Sequence, residues 1–182
     1  MDSTEDAVRA QGADLPVDLL RFVDGPGAVV EVFVNAPPEA VWRLVTDVDV
    51  PARFSGEFLG ATWEGDTRGV GAVFHGRNRN EFLGEWTIPC FVDAWDEPRA
   101  FGWRTSDPDN PGARWRFELT ANGTGTRLRF LLGVGPGPSG LTAAIAQHPD
   151  KEDRVLRRRI RDLTENMQAT VDGIKRLTEE GL

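Results

Sequence analysis

The sequence predicts an α+β domain in which an antiparallel sheet of about seven strands packs against one long C-terminal helix, with two short helices after the first strand. Three observations lead there. Short apolar–polar alternations recur through the middle of the chain, each bounded by a turn signal such as "EGDTRG", "DEPR", "SDPDNPG" or "ANGTG". The segment after "HPD" abandons that alternation for apolar residues spaced three, four and seven apart. Within the alternating runs, one face is apolar and the other is rich in arginine.

Residues 1–27 read as an N-terminal extension and 28–182 as the domain. The extension is polar except for Leu15, Leu19, Leu20, Phe22 and Val23, a cluster expected to dock on the body, and it ends at the breaker "DGPG". "AVVEVFV" at 28–34 is rich in β-branched residues and reads as a strand. "NAPPEAVWRLVTD" starts a helix, with Pro38 suited to a first helical position and Val41, Trp42 and Val45 on one side. "VPARF" at 50–54 supplies one more helical turn. Strands are then expected from Glu57, Gly71, Glu85, Ala100, Ala113 and Thr126. "GVGPGPSG" breaks the pattern, and "LTAAIAQ" forms a short helix. In the last helix Asp150 and Asp153 mark the start, where acids meet the positive end of the dipole. Leu156, Ile160, Leu163, Met167, Ile174 and Leu177 form its apolar stripe.

Side chains alternate across a strand, so parity sorts them. Trp115, Phe117 and Leu119 oppose Arg114, Arg116 and Glu118, and Phe101 and Trp103 oppose Arg104. Burying the guanidiniums unpaired would cost several kcal/mol each, so the apolar face is inside. In "GAVFHGRNRN" this rule sends Phe74 and Asn78 inward and His75, Arg77 and Arg79 to solvent. Trp86, Ile88 and Cys90 go inward, and Glu85 goes outward unless a bulge reverses it. A buried amide needs hydrogen bonds, which backbone, water or ligand could meet at Asn78. Trp86, Trp103 and Trp115 share the inner face as either an aromatic core or a cavity wall.

The formal charge of −8 argues against nucleic acid or an anionic membrane as partner. No apolar run is long enough to span a bilayer, and "MDSTEDAVRAQGADLP" has no secretory pattern, so a cytoplasmic location is expected. Cys90 is the single cysteine, which excludes an internal disulfide. His148 with Asp150 and Asp153 is better read as helix capping than as a metal site, and no metal or cofactor is expected. "GVGPGPSG" has no following lysine, and its prolines remove N–H donors, so it is a linker and not a phosphate loop. "RVLRRRIR" reads as a solvated helix face, with Asp153–Arg157 and Arg161–Glu165 paired four residues apart.

The element order over about residues 28–180 resembles the helix-grip fold of the START/SRPBCC superfamily. "VEVFVNAPPEAVWRLVTDVDVPARFSGEF" is similar to the opening of its polyketide cyclase/dehydrase-like branch. "VGAVFHGRNRN", "GEW" and "ENMQATVDGIKRL" resemble an actinobacterial subgroup of that branch. The resemblance implies a curved sheet wrapped around the helix, with a cavity between them for a hydrophobic or aromatic small molecule. Phe74, Asn78, Trp86, Trp103, Trp115, Phe117 and Met167 are the expected ligand-binding residues. Such a protein could be a polyketide cyclase or dehydratase, with Asn78 polarising a carbonyl, Arg53 steadying an enolate and Glu85 as the base. It could equally bind a lipid, quinone or polyketide without catalysis, or act as an interaction module like the chaperone activators of the superfamily. The chain has no tyrosine, a residue that catalytic members often use.

Overall fold

The structure, a computed structural model, describes residues 19–181. Alternation sets the sheet, and the sheet is a single antiparallel layer of seven strands in the order β1-β7-β6-β5-β4-β3-β2. The strands are β1 (Gly27–Val34), β2 (Phe58–Trp63), β3 (Val73–Asn80), β4 (Gly84–Asp96), β5 (Ala100–Thr105), β6 (Ala113–Asn122) and β7 (Gly125–Val134). Helix α1 (Pro38–Val45) and a 3-10 turn (Val50–Arg53) cross from β1 to β2, so the first two strands form opposite edges. Helix α2 (Gly140–Gln147) and a 3-10 turn (Pro149–Lys151) lead into α3 (Glu152–Glu180), which lies on the concave face. This is the helix-grip arrangement.

The inner face follows the predicted parity. Phe74, Phe101, Phe117, Leu119, Leu128 and Phe130 are buried, and Arg77, Arg79, Arg114, Arg116 and Arg127 are exposed. Pairing of β3 with β4 runs without interruption from Val73 opposite Phe91 to Asn80 opposite Gly84. A bulge between Val92 and Ala94 then shifts the phase of β4. The shift turns Trp95 inward against Trp42, 5.4 Å between ring centroids, which simple alternation from Trp86 would not do.

Helix α3 is seated by its C-terminal half. Met167, Val171 and Ile174 are buried against the sheet and α1, and Leu163 and Leu177 pack beside them. Gly173 is where the helix meets the Phe54 ring: a Cβ there would lie 2.4 Å from it. The same half protects the β1 edge. Lys175 Nζ donates to the Phe33 carbonyl at 2.8 Å, and the Asn35 N–H donates to Glu179 Oε1 at 2.8 Å.

Four expectations change. The second strand begins at Phe58, leaving Glu57 in the preceding turn. The tail is held by carboxylates as well as by apolar contact: the Leu20 N–H donates to Asp153 Oδ1 at 2.6 Å and the Phe22 N–H to Glu152 Oε1 at 2.7 Å. Phe22 packs on the core, whereas Leu19 and Val23 stay exposed, and Leu15 lies outside the described residues. Asp153 lies in the first turn of α3, at the positive end of the dipole as expected, and its carboxylate serves the tail and Arg157; the N-cap residue is Lys151 and not Asp150. Arg161 pairs with the adjacent Asp162 at 3.1 Å and not with Glu165.

Met167 is 2% exposed, so Met167→Ala should lower unfolding stability by about 2–5 kcal/mol. Arg158 stands on the solvent side of α3, 4.0 Å from Asp162, and Arg158→Ala should change stability by less than about 1 kcal/mol. Chemical denaturation measures both, and equal effects would contradict the seating of α3.

Candidate functional site

The close packing of α3 is against β1, β7, α1, α2 and the Val50–Arg53 turn, and α1 packs on β6, which leaves most of the inner face of β3 to β5 without close helix packing. A cavity of about 610 Å³ fills that space. It lies within the range that takes a drug-sized molecule. Its floor is aromatic. Phe74 meets the Trp103 ring at 5.6 Å, Trp103 stacks on Trp115 at 6.4 Å, and Phe117 stacks on Phe130 at 4.0 Å. Trp86 and Ile88 from β4 and Leu163 and Met167 from α3 continue the apolar wall. Leu83 from the β3–β4 turn and Leu141 from α2 complete the lining on the α2 side.

The structure brings Phe74, Asn78, Trp86, Trp103, Trp115, Phe117 and Met167 together on this one cavity. The tryptophans divide by position. Trp42 and Trp63 each pack edge-on to Trp95 at the core, and Trp86, Trp103 and Trp115 line the cavity. Asn78 is half-buried, and its amide makes no side-chain hydrogen bond among the described residues. A backbone partner for it, left open by the sequence, is therefore not found there.

Two candidates are corrected. Glu85 is exposed and bonds Arg79 on the outer face at 3.0 Å, because no bulge interrupts β3 and β4 at that point. Arg53 is exposed, with its guanidinium 5.7 Å from the centroid of the Phe54 ring, and it does not line the cavity.

The charged groups on the cavity are ones the sequence reading missed. Arg159 of α3 donates from Nη1 to Glu57 Oε2 at 2.6 Å and from Nη2 to Oε1 at 2.5 Å. A side chain of α3 also builds the turn that holds Glu57. Asn166 Oδ1 accepts from the Gly56 N–H at 2.7 Å, and the Ser55 hydroxyl accepts from the N–H groups of Glu57 and Phe58 at 3.2 and 3.0 Å. Arg159 and Asn166 are seven residues apart, two helical turns, so both face this turn. One signal was available: Arg159 falls three after Leu156 and four before Leu163, on the buried stripe itself. Glu57 was expected to open the second strand, and its place in the turn before that strand puts it outside the parity rule.

Cys90 also lines the cavity, and burial pushes its thiol from about 9 up to about 12, opposed by a hydrogen bond from the Gly76 backbone. It is thus a protonated, inert wall residue at neutral pH. Among the described residues no group of three His, Cys, Asp or Glu side chains could hold a metal ion, and no helix is long and apolar enough to cross a membrane.

Residues 27–177 match the family model described as polyketide cyclase / dehydrase and lipid transport. No curated relative matches the chain by sequence. Among solved structures, the fold is similar to the Polyketide_cyc-like protein Cgl2372 from Corynebacterium glutamicum: TM-score 0.60 and 24% identity over 84% of this chain and 91% of that one. It is similar also to BexL, a di-domain ARO/CYC of the BE-7585A biosynthetic pathway: TM-score 0.64 and 17% identity over 87% of this chain and 52% of that one. StfQ, the di-domain ARO/CYC of the steffimycin pathway, gives a TM-score of 0.66 and 13% identity over 85% of this chain and 51% of that one. At these identities the likeness is one of fold.

The folded protein should hold the Cys90 proton between pH 9 and 12, where the unfolded chain releases it. Unfolding should therefore become easier as pH rises through that window. At pH 8 a thiol reagent should label Cys90 only after denaturation, and rapid labelling of the native protein would refute the buried placement.

Proposed function

The chain belongs to the polyketide cyclase / dehydrase and lipid transport family, and from that premise we propose that it binds an aromatic, polyketide-like small molecule in the cavity between the sheet and α3. The supporting observation is the pairing of an aromatic floor with an amide, Asn78, that makes no side-chain hydrogen bond among the described residues. Flat aromatic walls favour flat ligands, through offset or edge contacts worth about 0.5–1.5 kcal/mol per pair beyond burial. A polar group on the wall then orients a ligand that would otherwise slide. The buried, reduced Cys90 is consistent with the cytoplasmic location that we propose.

Catalysis of cyclisation or dehydration is the second reading, and Glu57 favours it as the one carboxylate on the cavity wall among the described residues. Binding alone is the better supported of the two, because both Glu57 oxygens already accept from Arg159. Protein purified from its native host should carry an aromatic ligand that denaturation releases for mass spectrometry. Incubation with aromatic polyketide precursors, followed the same way, tests turnover. New cyclised product would raise the catalytic reading above the binding one.

Asn78→Leu separates ligand recognition from scaffolding. Since the amide makes no hydrogen bond among the described residues, the melting temperature should hold or rise. Affinity for a polar aromatic ligand should fall by about 0.5–1.5 kcal/mol, the net value of one neutral hydrogen bond. Tryptophan fluorescence quenching and thermal melts read the two quantities. A large drop in melting temperature with unchanged affinity would make Asn78 scaffold.

A further inference from the structure

Among the ion pairs described, Glu57–Arg159 has the least exposed partners, 13% and 25% of the side chains. Pairs on the outer face of the sheet, such as Arg104–Asp93 and Arg129–Glu118, remain about one-third exposed. Taking two charges out of water is costly, and a fork-to-fork geometry is what offsets it. This pair also faces the cavity and not solvent alone.

The consequence is chemical. A lone arginine on an apolar wall would draw a carboxylate. Here the guanidinium is already neutralised, so an anionic ligand group approaching it meets the charge of Glu57 at nearly the same distance. Such a ligand would lose its hydration for little Coulomb gain. A neutral hydroxyl fares better. The carboxylate has lone pairs to accept its O–H, because each oxygen can take more than one hydrogen bond. The guanidinium has five N–H donors, and two point at Glu57, so others can reach the ligand oxygen. Asn78 adds another donor and acceptor on the same wall. Neighbouring amides are engaged: Asn166 binds Gly56 and the Asp162 carbonyl, and Asn80 accepts from Phe82 and Leu83 while its Nδ2 donates to Glu57.

We infer that the Glu57–Arg159 pair, with Asn78, makes the cavity select aromatic ligands that carry a neutral phenol or enol hydroxyl and reject those that carry a carboxylate. The inference rests on the proposed binding of an aromatic molecule in this cavity and specifies its polar end.

Equilibrium dialysis of the full chain at neutral pH against 2-naphthol, naphthalene and 2-naphthoate tests it, since the three share one ring system. 2-Naphthol should bind about tenfold more tightly than naphthalene, the scale of one hydrogen bond to a charged group. 2-Naphthoate should bind more weakly than 2-naphthol. In Glu57→Gln the order should invert, with 2-naphthoate the tightest, because the charge of Arg159 is no longer cancelled. Arg159→Met should move 2-naphthoate the other way, to weaker binding than in wild type. Melting curves establish that each variant is folded, and if neither folds the wild-type series decides alone. Wild-type protein that holds 2-naphthoate as tightly as 2-naphthol overturns the inference. Equal binding of 2-naphthol and naphthalene overturns it too, while leaving an apolar aromatic cavity intact. Failure of all three probes to bind overturns both the inference and the binding function beneath it.

Discussion

One α-helix, about 10–12 Å across with its side chains, cannot cover a sheet of seven strands. Adjacent strands stand about 4.8 Å apart, so the concave face is wider than the helix laid on it. The structure resolves this mismatch unevenly. The C-terminal half of α3 packs closely on β1, β7 and α1, with Gly173 allowing the Phe54 ring to touch the helix backbone region. The strands beyond are left with aromatic side chains facing a cavity. Core and cavity are thus two ends of one apolar surface, and the position of the helix divides them.

That division explains why the same residue type does two jobs. Trp42, Trp63 and Trp95 close the end where α1 and the sheet meet, edge to face, and Phe101 carries the ring contacts on to Trp103. Beyond it Trp103 and Trp115 are only partly buried and line the cavity, while Phe117 and Phe130 are buried behind them. Ring neighbours that fix the orientation of Trp103 and Trp115 make them a firm floor for the cavity.

The free end of the helix is secured by polar contacts. Toward the N-terminal half of α3, where Leu156 is buried, Asn166 and Arg159 also reach to the 55–57 turn. These bonds hold the helix over the cavity without filling it. They also leave charge at the cavity wall, and because the charge comes as a matched pair the local field is close to neutral. The polar contacts that hold this turn to the helix come from four residues, Ser55, Glu57, Arg159 and Asn166.

Alternation along strands and the three-four spacing of the last helix determined the fold and most of the cavity. They require only that apolar faces be buried, a local rule that reads directly from the chain. Phe74, Asn78, Trp86, Trp103, Trp115 and Phe117 were legible for that reason, and Met167 from the helical stripe. Whether the tryptophans were core or wall was not legible, because parity says which face is inside and not what covers it. Glu57 and Arg159 lie 102 residues apart in sequence, and neither is marked by its neighbours as half of a pair. Glu85 and Arg53 failed as candidates for a related reason: each had suitable chemistry, but the continuous β3–β4 register and the exposed 3-10 turn aimed them away from the cavity. Only the tertiary structure decided the polar wall, since a charge is bound to its partner by distance in space, and distance between remote segments exists only once the sheet has closed over the helix.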